Sequence, residues 1–215
     1  MASNIIFMGT SDFAVPILKS ISESNHKIKA VYTQPPKKKS RGQKFEKSPI
    51  NLESIKLNIS VRHPNNLNSD DEYNFIKKSG VKFIIVVAYG QIIPQKILDI
   101  PDIIFLNIHA SLLPRWRGAA PIQRSIIHMD KITGISIMKI ISKLDAGPFM
   151  MQQEVKIEAE DNFTILSKKL SNLGSKLILK SLAELENKVA KFQEQDENKV
   201  SYARKIEKKE SEVDW

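Results

Sequence analysis

Asn107, Ile108 and His109 close a long apolar run, and Asp145 follows 36 residues after His109 within Leu144-Asp145-Ala146-Gly147. A neighbouring carboxylate can orient an imidazole or relay its proton, so His109 and Asp145 are candidates for acid–base work. Asn107 and His109 are two residues apart, and on an extended chain both side chains point to the same side. A lone Asn or His at a strand end is ordinarily just a satisfied polar residue. His26, His63 and His128 have no such company and are expected at the surface. His109 differs because it has Asn107 two residues before it, an irregular loop after it and an Asp-Ala-Gly downstream.

The elements that must position these groups follow from periodicity. Ile103-Ile104-Phe105-Leu106 leads into Asn107 without a polar break, the pattern of a strand buried on both faces. Polar groups at the carboxyl end of such a strand sit where open α/β sheets place their ligands. The stretch from Ser111 to Gln123 is too irregular for a core element and is expected to form a site loop entering a helix from about Ala119 to His128. Further strands are expected at Asn4 to Met8, Ile28 to Tyr32, Ile59 to Arg62, Val81 to Ala88, Ile135 to Ile141 and Met150 to Ile157. Helices are expected after Gly9-Thr10-Ser11-Asp12, with Pro16 in the first turn, after the Ser48-Pro49 cap, and after Ser69-Asp70-Asp71-Glu72, a capping-box pattern that Gly80 ends. Leu166, Leu170, Leu173, Leu177, Leu182 and Leu185 mark one face of a long helix, a core stripe. Strand–helix alternation argues an α/β fold with a Rossmann-like, doubly wound, mostly parallel sheet. Residues 1–190 are expected to form the catalytic domain and 191–215 a charged return segment and linker. Gly9-Thr10-Ser11 lacks the second and third glycines of a dinucleotide loop, so NAD binding is not expected.

The chain of 215 residues can bury one sizeable core. Its 41% hydrophobic and 27% charged residues are ordinary for a soluble globular protein. There are no cysteines, which removes disulfides and thiolate metal sites, and no cluster of metal ligands is evident. No signal peptide or bilayer-length apolar run is visible, so a cytoplasmic protein without membrane contact is expected. The net charge of +9 suggests an anionic partner. Most of that charge is lysine, part of it compositional. Of the six arginines, Arg115, Arg117 and Arg124 cluster in the loop and helix after His109, and arginine favours bidentate phosphate or carboxylate recognition. From Thr33 to Lys47 the chain is expected to be irregular, basic and too polar to pack.

These motifs together resemble the methionyl-tRNA formyltransferases. Phe7-Met8-Gly9-Thr10-Ser11-Asp12-Phe13-Ala14 is similar to the family's opening, with Ser11 where a proline is usual. Thr33-Gln34-Pro35 and Arg41-Gly42 resemble its inserted basic loop, although Pro36 and the following lysines depart from the usual pattern. Val86 to Pro94, Asn107 to Arg124, Thr133 to Met138, Leu144 to Pro148, Tyr202 to Ile206 and Asp214-Trp215 also match. Family members continue past that Asp-Trp into a β-barrel that helps bind tRNA.

The resemblance implies formyl transfer from 10-formyltetrahydrofolate to the α-amine of initiator methionyl-tRNA, with no metal and no obligate protein partner. Asn107, His109 and Asp145 would be the catalytic residues. Folate would lie along Val87, Ala88, Tyr89, Gly90 and Ile92 and against Ser111, Leu112, Leu113 and Pro114. Arg41, Lys38, Lys39 and Lys44 would meet tRNA. Trp116 could stack on a base or serve packing, and packing is the favoured reading. Two alternatives stay open: a formyltransferase for a small amine such as glycinamide ribonucleotide or an amino sugar, and a non-catalytic RNA-binding relative.

Overall fold

The structure, a computed structural model, describes residues 2–39 and 44–211. Its centre is a seven-stranded sheet in the order β10-β9-β7-β6-β1-β2-β5. β1 (Asn4–Gly9) lies between β2 (Lys27–Tyr32) and β6 (Phe83–Val87), parallel to both. β5 (Val61–Arg62) extends one side in parallel, and β7 (Ile104–His109) extends the other. The sheet is mostly parallel, as the alternation predicts, but β9 (Ile132–Lys139) runs antiparallel to β7, and β10 (Phe149–Lys156) antiparallel to β9. The short connection between β9 and β10 dictates a hairpin, because a parallel crossover needs a dozen or more residues.

The central strands are apolar throughout because both faces are covered. Ile5 and Phe7 of β1 join the core under α1 (Val15–Ser22) and α6 (Phe163–Glu186). Ile6 and Met8 face the other way, into the core shared with α3 (Asp70–Lys78) and α4 (Gln95–Leu98). Asn162 caps α6 through its side chain, and Leu166, Leu170, Leu177 and Leu182 of the leucine stripe are buried in it. α2 (Pro49–Lys56) begins after Ser48, whose hydroxyl accepts from Asn51 N–H at 3.0 Å. No helix among the described residues is long and apolar enough to cross a membrane.

Three expectations change. The basic stretch after Thr33 contains an antiparallel hairpin, β3 (Lys37–Lys39) with β4 (Lys44–Glu46). A ribbon of three pairs, Lys37 with Glu46, Lys38 with Phe45 and Lys39 with Lys44, needs no apolar run, so hydrophobic patterning does not announce it. His26 is not a surface residue: its side chain is 10% exposed, accepts from Ser3 N–H at 3.3 Å and lies 3.6 Å from Glu186. At the start of α3, Ser69 caps Glu72 N–H, but the Glu72 carboxylate does not turn back to complete a box. It is drawn into the core by Arg62, at 2.9 Å through both oxygens, and by the Tyr32 hydroxyl at 2.7 Å. A bidentate guanidinium outweighs the weaker return bond to a backbone amide.

Candidate active site

β7 delivers the two polar groups at its carboxyl end, between β6 and β9. Asn107 stands opposite Val86 and Met138, and His109 opposite Ser136. His109 is 5% exposed. Asp145 arrives on the loop between β9 and β10, in the left-handed region at φ 46°. Its Oδ1 accepts from Asn107 Nδ2 at 3.2 Å, and its Oδ2 lies 3.6 Å from His109 Nδ1. The three residues that the spacing singled out therefore share one corner of the sheet.

A third segment holds both members of the His–Asp pair. β8 (Arg117–Gly118) follows the loop and pairs in parallel with β11 (Tyr202–Ala203). His109 Nε2 lies 2.8 Å from the carbonyl oxygen of Trp116. A carbonyl only accepts, so Nε2 carries the proton and donates it. Nδ1 is then the nitrogen free to gain or lose a proton, and it is the one facing Asp145. Gly118 N–H donates to Asp145 Oδ2 at 2.9 Å. Gly118 sits at φ 118°, and a Cβ there would come within 2.9 Å of the Ala203 carbonyl oxygen. Glycine is thus required for β8 to lie against β11 and aim its amide at the carboxylate. At Gly147 a Cβ would come within 2.0 Å of the Lys139 carbonyl oxygen, so the Asp145 loop closes only with glycine there.

The arginine cluster after His109 is used inside the chain, which corrects its reading as an anion-recognition signal. Arg115 makes a bidentate pair with Asp130 and lies 4.5 Å over the Trp116 ring. Arg124 pairs with Glu210 and donates to the carbonyls of Arg204 and Lys205. Arg117 is fully buried and donates to Gln195 and Glu197. Arg117 and Lys143 hold the Glu197 carboxylate down to about 2. Trp116 is 6% exposed, donates its indole N–H to Asp130 and meets His128 edge-on, so it packs.

The loop after β6 lies beside this corner. Ala88, at φ 45°, Gly90 and Ile92 are exposed there, whereas the side chains of Val87 and Tyr89 are buried. Burial, with the Glu72 charge adding to it, pushes the Tyr89 phenol well above its ordinary value. Thr10 Oγ1 donates to the Tyr89 carbonyl at 2.7 Å, and Gln34 Nε2 to that of Gly90 at 2.7 Å. The Gly-Thr and Thr-Gln motifs thus converge on the same loop. Ser111 and Leu113 are buried, with Leu112 and Pro114 partly exposed beside them. Ser111 Oγ donates to the Arg115 carbonyl, and the Leu113 amide donates to Ser136 Oγ. Lys38, Lys39 and Lys44 lie on the β3–β4 hairpin, and Arg41 lies outside the described residues.

The residues beyond 190 hold supports that sequence reasoning missed. Gln195 donates to two carbonyls of the Asp145 loop, and Ser201 Oγ accepts from Trp116 N–H at 2.9 Å. Glutamine and serine in a charged tail carry no recognisable signal, and the Tyr202–Ala203 match is the only hint there.

A formyl transferase family model matches residues 3–182. A methionyl-tRNA formyltransferase from Pelagibacter ubique (strain HTCC1062) is 51% identical over 216 aligned residues, covering 100% of this chain and 70% of that protein. The chain belongs to the methionyl-tRNA formyltransferase family. Solved formyltransferases share its fold. A phosphoribosylglycinamide formyltransferase from Anaplasma phagocytophilum superposes with TM-score 0.72 at 19% identity, covering 93% of this chain and 98% of that one. A sugar 3N-formyl transferase solved in the presence of dTDP and 5-N-formyl-THF gives TM-score 0.65 at 20% identity, covering 94% of this chain and 69% of that one. The family match stops at residue 182, short of Gln195 and the β11 strand that brace the site.

Proposed function

We propose that this chain transfers the formyl group of 10-formyltetrahydrofolate to the α-amine of methionyl-tRNA, making formylmethionyl-tRNA for translation initiation in the cytoplasm. The observation that carries this reading is the 51% identity to a methionyl-tRNA formyltransferase across the whole chain, with Asn107, His109 and Asp145 assembled at one strand end.

The residues suit the reaction. The amine attacks the formyl carbon, and the carbonyl oxygen becomes an oxyanion. Asn107 Nδ2 spends one N–H on Asp145 and has a second to give to that oxygen. His109 Nδ1, with Nε2 occupied by Trp116, takes the amine proton and returns it to the folate nitrogen as the C–N bond breaks. Asp145 balances the imidazolium in between. Folate is assigned to the loop of Val87, Ala88, Tyr89, Gly90 and Ile92 and to Ser111, Leu112, Leu113 and Pro114. The exposure of Ala88, Gly90 and Ile92 supports contact there. The buried Val87, Tyr89, Ser111 and Leu113 side chains would serve as its floor. No metal is assigned a step.

Arg41, Lys38, Lys39 and Lys44 are assigned to tRNA. The β3–β4 hairpin supports this, because it is a built element carrying three lysines on one strand. Release of tetrahydrofolate is measured with methionyl-tRNA or glycinamide ribonucleotide as acceptor. Methionyl-tRNA is expected to be the productive acceptor. Turnover with glycinamide ribonucleotide alone would replace this reading with the small-amine one. Arg41→Ala should weaken tRNA-dependent activity and flatten its salt dependence, since each phosphate contact releases counterions. Folate affinity, followed by fluorescence titration, should not move.

A further inference from the structure

Gln195 lies on the return segment after α6 and is 8% exposed. Its Oε1 accepts from Arg117 Nε at 2.9 Å. A guanidinium only donates, so the amide has one orientation, with Nε2 turned the other way. There Nε2 donates to the Asp145 carbonyl at 2.9 Å and to the Gly147 carbonyl at 2.7 Å. A primary amide alone among side chains offers an acceptor on one side and two donors on the other. Arg117, at 0% exposure, is held in turn by Glu197 at 2.8 Å, and Glu197 also takes Lys143 from the Asp145 loop at 2.8 Å. Arg117 stands between the two residues whose main chain holds the acid–base pair: Trp116, whose carbonyl receives His109 Nε2, and Gly118, whose amide meets Asp145 Oδ2.

We propose that Gln195, locked in orientation by Arg117, is a positioning residue for the formyl transfer reaction, fixing the Asp145 backbone so that its carboxylate stays aimed at His109 and Gly118. The inference rests on the formyl transfer reading above. Asp145 has an uncommon left-handed backbone, and its carboxylate is held by Asn107 and Gly118. Gln195 grips the same residue from its carbonyl side. With that grip removed, the loop is free to relax and the carboxylate to leave register. Misplacement on the order of 1 Å can cost about 100-fold in rate.

The test is a double-mutant cycle on the intact chain, with Gln195→Met, Asp145→Ala and their combination, followed by tetrahydrofolate release with methionyl-tRNA. Gln195→Met keeps the volume and removes the acceptor and both donors. Alone it should lower kcat about 10- to 100-fold. In the Asp145→Ala background it should cost less than about twofold, because a residue acting through Asp145 has nothing left to position. A residue that merely stabilises the fold would cost the same in both backgrounds, and that result overturns the proposal. So does a single variant within twofold of wild type. If circular dichroism shows that Gln195→Met does not fold, Gln195→Glu, which keeps the Arg117 acceptor and loses both donors, enters the same cycle under the same criteria.

Hydrogen exchange at the Gly118 amide is read in parallel. Its bond to Asp145 should loosen, and exchange should quicken about tenfold in the Gln195 variant. If wild type transfers no formyl group to methionyl-tRNA, the formyl transfer reading fails and this amide decides the positioning claim by itself. Unchanged exchange overturns the claim, and faster exchange supports it.

Discussion

Replacing Asp145 by Asn removes its charge and keeps one of its two acceptor oxygens. The carboxylate lies 3.6 Å from His109 Nδ1, the nitrogen that on the proposed mechanism holds a proton between the attack and departure steps. At an effective dielectric of about 20, an ion pair at that separation is worth roughly 4–5 kcal/mol. Asp145 is 14% exposed, so solvent reaches one side and cuts this to about 3 kcal/mol. That stabilisation exists only while the imidazole is charged, so it lowers the barrier rather than tightening ground-state binding. Asp145→Asn should therefore reduce kcat by about 100-fold. The amide oxygen can still accept from Gly118 N–H, while the NH2 replaces the oxygen that faces Asn107. One of the two side-chain bonds on the loop is kept, together with the Gln195 bonds to its main chain, so folate affinity should change less than about threefold. Asp145→Ala, which loses charge and hydrogen bonds together, should fall only modestly further. The assay is single-turnover formyl transfer, with folate Kd from fluorescence titration. An Asn variant keeping more than a third of wild-type turnover would refute the assignment of Asp145 as counter-charge to His109.

Two further predictions concern the frame. Gly118→Ala puts a Cβ 2.9 Å from the Ala203 carbonyl and forces a left-handed backbone on alanine, so it should destabilise the protein by about 1–3 kcal/mol and lower kcat as well; an unchanged thermal midpoint would show that β8 and β11 do not constrain each other. Burial alone would raise the Glu72 carboxyl, but Arg62 and the Tyr32 hydroxyl outweigh it and hold it below its ordinary 4.5. A carboxyl lowered in the folded state contributes stability that is complete above its unfolded value and is lost as pH falls through the folded one. Urea unfolding should show wild type losing this contribution below about pH 4.5. Glu72→Gln should be about 1–3 kcal/mol less stable at pH 7 and should lose less on acidification; equal acid slopes in the two proteins would count against the Arg62–Glu72–Tyr32 network.

The parts legible in the sequence were those set by side-chain periodicity and side-chain chemistry. The parallel centre of the sheet, the leucine-faced helix and the meeting of Asn107 with His109 follow from patterns of two and 3.6 residues. The fate of the arginines was not legible. Arg115, Arg117 and Arg124 offer the same chemistry to an internal carboxylate as to a phosphate, and only the fold decides which partner is near. Their partners Asp130, Glu197 and Glu210 lie as far as 86 positions away in the chain. The clamp on His109 and Asp145 was invisible for another reason. The Trp116 carbonyl and the Gly118 amide are groups that every non-proline residue carries, so no residue type announces them.

The same distinction bears on how a polyanion would be held. Arg62, Arg115, Arg117 and Arg124 all donate to carboxylates of the chain itself, which commits donors of four of its six rigid, bidentate cation forks to internal partners. The net charge of +9 is therefore presented mainly by lysines, which act as point charges and recognise phosphate without fixed geometry. Such contacts release counterions without reading base identity. On the proposed function, the lysine-bearing hairpin would supply affinity that falls steeply with salt. Discrimination would then fall to the corner where Asn107, His109 and Asp145 are held together, the place assigned to the reacting amine. A substrate tethered loosely by its backbone and sharply at its reactive end needs a rigid reaction corner more than a rigid tRNA grip. The buried arginine and the two-sided amide of Gln195 are placed to supply that rigidity.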